Sequence, residues 1–328
     1  MPTYTHPDTL NPADESPYPI NTELPLWSEN YCSQAYDPDN RVGVWLHMGR
    51  THYKSDLWRE VAVIYLPDGD FVVVKGYGRN QHDRGPGSAT MRFAYDKPWN
   101  TWIKTLDGAG VHVPAGTAWN GLIPDGLHIP VSFQLSFAGL HPTWDVGAEM
   151  KQQTWGHSHY EQVSAVTGTI RWGDQEITLA GTGIRDHTQG PRNYTTVHRH
   201  CWLHGAFPSG KGFILLDVDV EGHRMSRAAT FTPTATRDAE VIETPMLGDH
   251  TEHSDPYRLV LRDEDGKEAV ITAEQLHVMP YGFIGESEVT LGYQPDAVSH
   301  QFYEAHTRFQ WDGETGYGLT ERSVRVTR

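Results

Sequence analysis

From Gly181 to Asn193 the chain reads Gly-Thr-Gly-Ile-Arg-Asp-His-Thr-Gln-Gly-Pro-Arg-Asn, which puts Arg185, Asp186, His187 and Arg192 within eight residues. A carboxyl, an imidazole and two guanidiniums at that density, beside glycine backbone with wide φ/ψ freedom, suit acid–base chemistry better than a plain core strand. On a strand Asp186 points opposite to Arg185 and His187. Asp186 is expected to project into a barrel, where desolvation raises its pKa towards that of a general acid. Arg185, Arg192 or His187 would tune or orient it. The competing reading is a buried Asp186–Arg192 salt bridge closing a loop, which would lower the pKa instead.

Two period-2 rows accompany this stretch. His157-x-His159-x-Glu161, with Tyr160 and Gln162 opposite, begins the hairpin that delivers Asp186, so the two rows are expected as neighbours in one sheet. The plain alternative is a solvent-facing strand. His198-x-His200-x-Trp202-x-His204 would set three imidazoles and an indole on one strand face. With His159 and Glu161, that row could be drawn as a metal site. Several ligand triples fit equally well, so a mixed hydrogen-bonding and aromatic wall is the more economical reading, and no metal is assigned.

The expected catalytic set is therefore Asp186, His187, Arg185, Arg192, His159, Glu161 and His204. Trp45, Trp58, Trp155, Tyr160, His198, His200, Trp202 and Phe213 are the expected substrate contacts, with ordinary barrel core as the alternative for the aromatics. Glu321, in the glycine-rich Trp311–Arg322 stretch, could face the pocket or partner a surface arginine, and a structural role is favoured there. No phosphate-cradling loop, nucleophile elbow or dinucleotide fingerprint is present, and no cofactor is expected.

The elements that must hold these residues are strands. Hairpin patterns recur around Pro67-Asp68-Gly69-Asp70, Gly173-Asp174, Glu221-Gly222, 263–267 and 312–315, with no βαβ alternation. Thr272–Leu276 reads as a helical turn and 84–98 as ambiguous. The 32 Gly, 21 Pro and 36 aromatic residues (11 Trp, 15 Tyr, 10 Phe) fit strands and turns. The fold class is all-β, as two tandem antiparallel barrels or sandwiches with few helices. The expected domains are 1–150 and 151–328, the second carrying the Arg-Asp-His motif.

A net charge of −16 argues against nucleic acid and an anionic membrane surface. Two cysteines make no disulfide framework. The polar, proline-rich N-terminus shows no secretory signal, and no run approaches a membrane span, so a cytoplasmic protein is expected, with a homodimer left open. Nineteen histidines raise the expectation of a proton-handling site.

The Gly-x-Gly-x-Arg-Asp-His-x-x-Gly-x-Arg pattern follows His159-Tyr160-Glu161-Gln162 and precedes Trp202-x-His-Gly-x-Phe207. Together with the terminal Asp-Gly-x-x-Gly-Tyr-Gly-x-x-Glu segment, it resembles the AttH/CrtC-like family of double lipocalin-like proteins. That family includes carotenoid 1,2-hydratase, kievitone hydratase and fungal Diels–Alderase relatives. The resemblance implies tandem lipocalin-like barrels and a hydrophobic ligand, often terpenoid or polyketide. It also implies an acid that protonates a carbon–carbon double bond, falling here on Asp186 beside His187. Gln189 stands where the family often has Trp. The leading expectation is a cofactor-independent lyase or isomerase acting by hydration, dehydration or cation-driven rearrangement. A non-catalytic lipocalin-type carrier and a His-ligated metal enzyme are the alternatives.

Overall fold

A computed structural model describes residues 8–54, 56–254, 256–284 and 288–326. Ten strands of one sheet come first: β1 (Trp27–Asp37), β2 (Val42–Thr51), β3 (Trp58–Tyr65), β4 (Phe71–Gly78), β5 (Met91–Lys97), β6 (Thr101–Val113), β7 (His128–Gly139), β8 (Trp144–Asp145), β9 (Ser158–Trp172) and β10 (Gln175–Pro191). A second sheet follows: β11 (Val197–Ala206), β12 (Gly212–Val220), β13 (His223–Thr232), β14 (Ala235–Glu243), β15 (Tyr257–Asp263), β16 (Glu268–Ile284), β17 (Glu288–Leu291), β18 (His300–Trp311) and β19 (Glu314–Arg325). The fold is all-β. Among the described residues, no helix is long and apolar enough to cross a membrane.

Each sheet closes on itself. In the first, β1-β2-β3-β4-β6-β7-β9-β10 forms an antiparallel ring because β10 pairs with both β9 and β1, while β5 and β8 hang off β6 and β9. In the second, β11-β12-β13-β14-β15-β16-β18-β19 closes through β19 on β11, and β17 extends β16. Closure removes the unpaired edges that an open sheet would expose. Two-residue turns at Glu221-Gly222 (φ 49° and 82°) and Asp312-Gly313 (φ 50° and 79°) have the positive φ that matches strand twist.

Inward side chains from every strand of the first ring, joined by Phe93 of β5, form one core that includes Tyr31, Trp58, Trp102, Leu135, Phe137 and Val166. Cys201, Leu203, Phe213, Leu215, Leu259, Ile271 and Phe309 form that of the second. The barrels are therefore filled, as eight-stranded barrels commonly are.

Three sequence expectations change. The chain divides after Arg192, not at 150: the first unit holds the described residues through Ala115 plus Pro124–Arg192, and Gly116–Ile123 joins the second. The Arg-Asp-His motif thus ends the first barrel instead of sitting in the second. The β9–β10 hairpin looks like every other hairpin in sequence, but its last strand completes the first ring. Thr272–Leu276 is strand, carried through β16 with a bulge between Gln275 and His277. The ambiguous 84–98 stretch contains β5.

Candidate active site

The motif's first two glycines are there for closure. A Cβ on Gly181 would lie 1.9 Å from the Tyr36 carbonyl oxygen, and one on Gly183 would lie 2.1 Å from that of Gln34. Without side chains at these points, β10 can approach β1 and seal the ring. Of the motif glycines, Gly190 takes positive φ (132°).

Strand alternation then splits the ionisable residues between two faces. Arg185 and His187 point inward: Arg185 stands over the Trp102 ring, and His187 stacks on Tyr31 with centroids 3.8 Å apart. Both pin the N-terminal segment. Arg185 donates to both oxygens of Glu15 at 2.8 and 3.3 Å and to Gln162. Glu15 also accepts from Trp102 Nε1 at 2.7 Å, the Tyr160 hydroxyl at 3.0 Å and the Trp99 amide at 3.1 Å. His187 Nε2 lies 2.9 Å from Glu29, itself paired with Arg50. These contacts correct the expected roles: Arg185, His187 and Tyr160 hold a 3-10 turn, Pro12–Glu15, against the barrel.

Asp186 corrects the expectation too, because it faces out of its own barrel. It is opposite Glu161 in register, as Thr188 is opposite His159. His159 bridges these neighbours, with Nδ1 2.6 Å from Thr188 Oγ1, Nε2 2.6 Å from Glu161 Oε1, and Nδ1 3.8 Å from Asp186 Oδ2. The Cys32 amide donates to Asp186 Oδ1 at 2.6 Å. Arg192 lies near enough to act on Asp186 through its charge. Its own guanidinium reaches the Trp155 carbonyl and, with the amide oxygen of Asn30 turned towards it, that side chain as well.

Burial sets the electrostatics. Asp186 is 8% exposed, and desolvation raises its pKa although His159, the Cys32 amide and Arg192 pull it down. For His159 the largest effect, burial, works downward, yet the charge and hydrogen bond of Glu161 and the charge of Asp186 carry it above its ordinary value. A carboxyl whose pKa is raised by burial thus sits beside an imidazole–carboxylate dyad. That pairing can donate a proton, stabilise the carboxylate left behind and take the proton back.

The remaining expected residues divide by unit. Trp45 is on the outer face of β2 and donates Nε1 to Cys32 Sγ at 3.2 Å. Trp58 is core, with Arg50 4.6 Å over its ring, and Phe213 is core of the second barrel. His200, Trp202 and His204 lie on the outer face of β11, opposite the inward Cys201 and Leu203. His198 leaves that row and is exposed, because a register shift between Val197 and Arg199 breaks the alternation. Among the described residues, no group of three or more His, Cys, Asp or Glu side chains is placed to hold a metal ion.

Glu15, Glu29, Glu304 and His300 went unassigned in the sequence, and for Glu321 a structural role was favoured over a pocket-facing one. The period-2 row His300-x-Phe302-x-Glu304-x-His306 was the available signal for the second barrel. Nothing local marks Glu15, which is 84 residues in sequence from Trp99 and 170 from Arg185.

A family model described as a domain of unknown function, DUF7064, matches residues 11–325. The chain belongs to that family. No curated protein matches this DUF7064 chain. Its fold is shared with solved structures at low identity. A Nitrosomonas europaea protein assigned as an AttH is 12% identical, covers 94% of each chain and has a TM-score of 0.54. CghA, solved with Sch210972, is 10% identical over 92% of this chain and 89% of its own, with a TM-score of 0.56. Kievitone hydratase from Nectria haematococca is 12% identical over the same shares, with a TM-score of 0.50. These neighbours agree with the AttH/CrtC-like resemblance, and at such identities the likeness is one of fold.

Proposed function

We propose that this chain is an acid–base enzyme, a cofactor-independent lyase or isomerase acting on an apolar, alkene-bearing substrate of terpenoid or polyketide type. The observation that carries the reading is Asp186: a buried carboxyl with a raised pKa, 3.8 Å from the His159–Glu161 dyad. The Asp186 carboxyl gives its proton to one alkene carbon. Water forms the new C–O bond at the neighbouring cationic carbon and returns a proton to the Asp186 carboxylate. His159, fixed by Glu161 and Thr188, stabilises that carboxylate while it is charged. Run backwards, the same steps are a dehydration; without water capture, loss of a different proton is an isomerisation. The name of kievitone hydratase, a protein of the same fold, supports the water-addition variant.

Carriage of a ligand inside a barrel gains no support, since Tyr31, Trp58, Phe93, Trp102 and Phe137 fill the space where a lipocalin would hold one. The test is incubation with an apolar metabolite extract in ¹⁸O-labelled water, read by mass spectrometry. Hydration predicts an extract component gaining one labelled water. Asp186→Asn, folded as judged by circular dichroism, should lower that rate by about 10²–10⁴-fold. Full incorporation by the variant would refute the assignment.

A further inference from the structure

We propose that the outer face of the second barrel carries a second acid–imidazole site, built on Glu304, Glu321, His200 and His300, that binds the carbonyl or hydroxyl oxygen of an apolar molecule. The two barrels repeat one another. Both barrels are eight-stranded meanders whose last strand closes on the first, so β9 and β10 correspond to β18 and β19. Asp186 on β10 is opposite Glu161 on β9, and Glu321 on β19 is opposite Glu304 on β18. Two residues further along the last strand comes a hydroxyl, Thr188 in one barrel and Ser323 in the other.

In both barrels an imidazole spans that hydroxyl and one carboxylate. His159 does so between Thr188 and Glu161; His200 lies 2.5 Å from Ser323 Oγ and 2.8 Å from Glu321 Oε1. What differs is the strand that supplies each group: the imidazole comes from the penultimate strand in the first barrel and from the first strand in the second, and its carboxylate from the penultimate and the last strand respectively. That leaves Glu304 as the counterpart of Asp186. Tyr281 donates its hydroxyl to Glu321 Oε2, and Glu304 is the cross-strand neighbour of Glu321. Burial alone would raise Glu321, but the hydrogen bond and charge of His200, then Glu304 and Tyr281, hold it below the ordinary glutamate range.

His300 points to a ligand. His300, on the same face of β18, is 1% exposed, and its Nε2 has no hydrogen-bond partner among the described residues. Burial, with the charges of His200, Arg325 and His198, pushes His300 down to about 3, so the ring is neutral and offers one donor and one acceptor. Native structures rarely leave such an atom uncompensated. The Phe302 ring lies between the two imidazoles, 5.4 Å from each, and stacks on Tyr281 at 4.8 Å. An oxygen held by Glu304 and His300, with its apolar body on Phe302, satisfies all of these groups.

The probe is 6-bromo-2-naphthol, with 2-bromonaphthalene as the matched hydrocarbon, on the full chain. Calorimetry should find the naphthol bound at least about tenfold more tightly, a preference lost in Glu304→Gln and in His300→Phe. Bromine anomalous scattering from a soaked crystal of the unaltered chain should place the naphthol against Phe302 and His300, which keeps the test independent of how the variants fold. Equal affinity for the two probes, a preference that survives both substitutions, one lost instead in Asp186→Asn, or bromine located elsewhere would each overturn the proposal. The hydration assay of Asp186 is read separately, so either reading can fail alone.

Discussion

His159 Nδ1 lies 3.8 Å from Asp186 Oδ2 on the outer face of the first barrel, the two side chains meeting across the paired strands β9 and β10. Each is set by a different neighbour. Glu161 holds the imidazole, the Cys32 amide holds the carboxyl, and burial raises the carboxyl's pKa.

Glu161→Gln should invert the behaviour of His159. The charge and hydrogen bond of Glu161 are what outweigh burial there, so without the carboxylate the imidazole should titrate below the ordinary histidine value of about 6.5. Long-range ¹H–¹⁵N spectra of the imidazoles across pH check this. An unmoved titration would mean that Glu161 does not control the ring.

Breaking the Glu15–Arg185 pair should be costly, because both side chains are buried and the survivor keeps an uncompensated charge. Glu15→Ala is expected to lose about 3–5 kcal/mol in urea unfolding. The double variant Glu15→Ala/Arg185→Met should lose less than the sum of the single losses. Additive losses would show that the two side chains are not coupled.

Lys104 gives a pH signature of its own. Its ammonium is buried 4.0 Å from the Phe93 ring centroid, and burial, then the charge of Arg185, pushes its pKa down to about 7. Between that value and the unfolded value near 10.4, the unfolded chain binds the extra proton, so stability from this residue rises with pH. The rise is at most about 1.4 kcal/mol per pH unit. Lys104→Met should flatten the difference in urea midpoint between pH 7 and pH 10; an unchanged slope would contradict the assignment.

Gly183→Ala should destabilise the first barrel by roughly 1–3 kcal/mol or more, since the new methyl group meets the Gln34 carbonyl. Hydrogen exchange should localise the loss to β1 and β10. A neutral substitution would mean that the two strands are not closed at this point.

The sequence carried the hairpins, because Asp-Gly and Glu-Gly turns need positive φ and announce themselves. It also carried the separation of Asp186 from Arg185 and His187, which follows from a period of two. It could not say which of those faces looks inward. Around Tyr160–Val163 both faces of β9 are buried, so no contrast of polar and apolar residues marks the inside. The direction is fixed by ring closure, when β10 reaches β1. The same long-range pairing hid the unit boundary at Arg192 and the Glu15 anchor, and a bulge of one residue removed His198 from its row.

The most direct measurement is the titration of the Asp186 side-chain carboxyl, followed by ¹³C NMR of selectively labelled protein and assigned with Asp186→Asn. The account predicts a midpoint above the ordinary aspartate value, and a higher one still in His159→Gln, where the imidazole's opposing charge is gone. A midpoint at or below the ordinary value would leave Asp186 an ion-paired carboxylate with no proton to give.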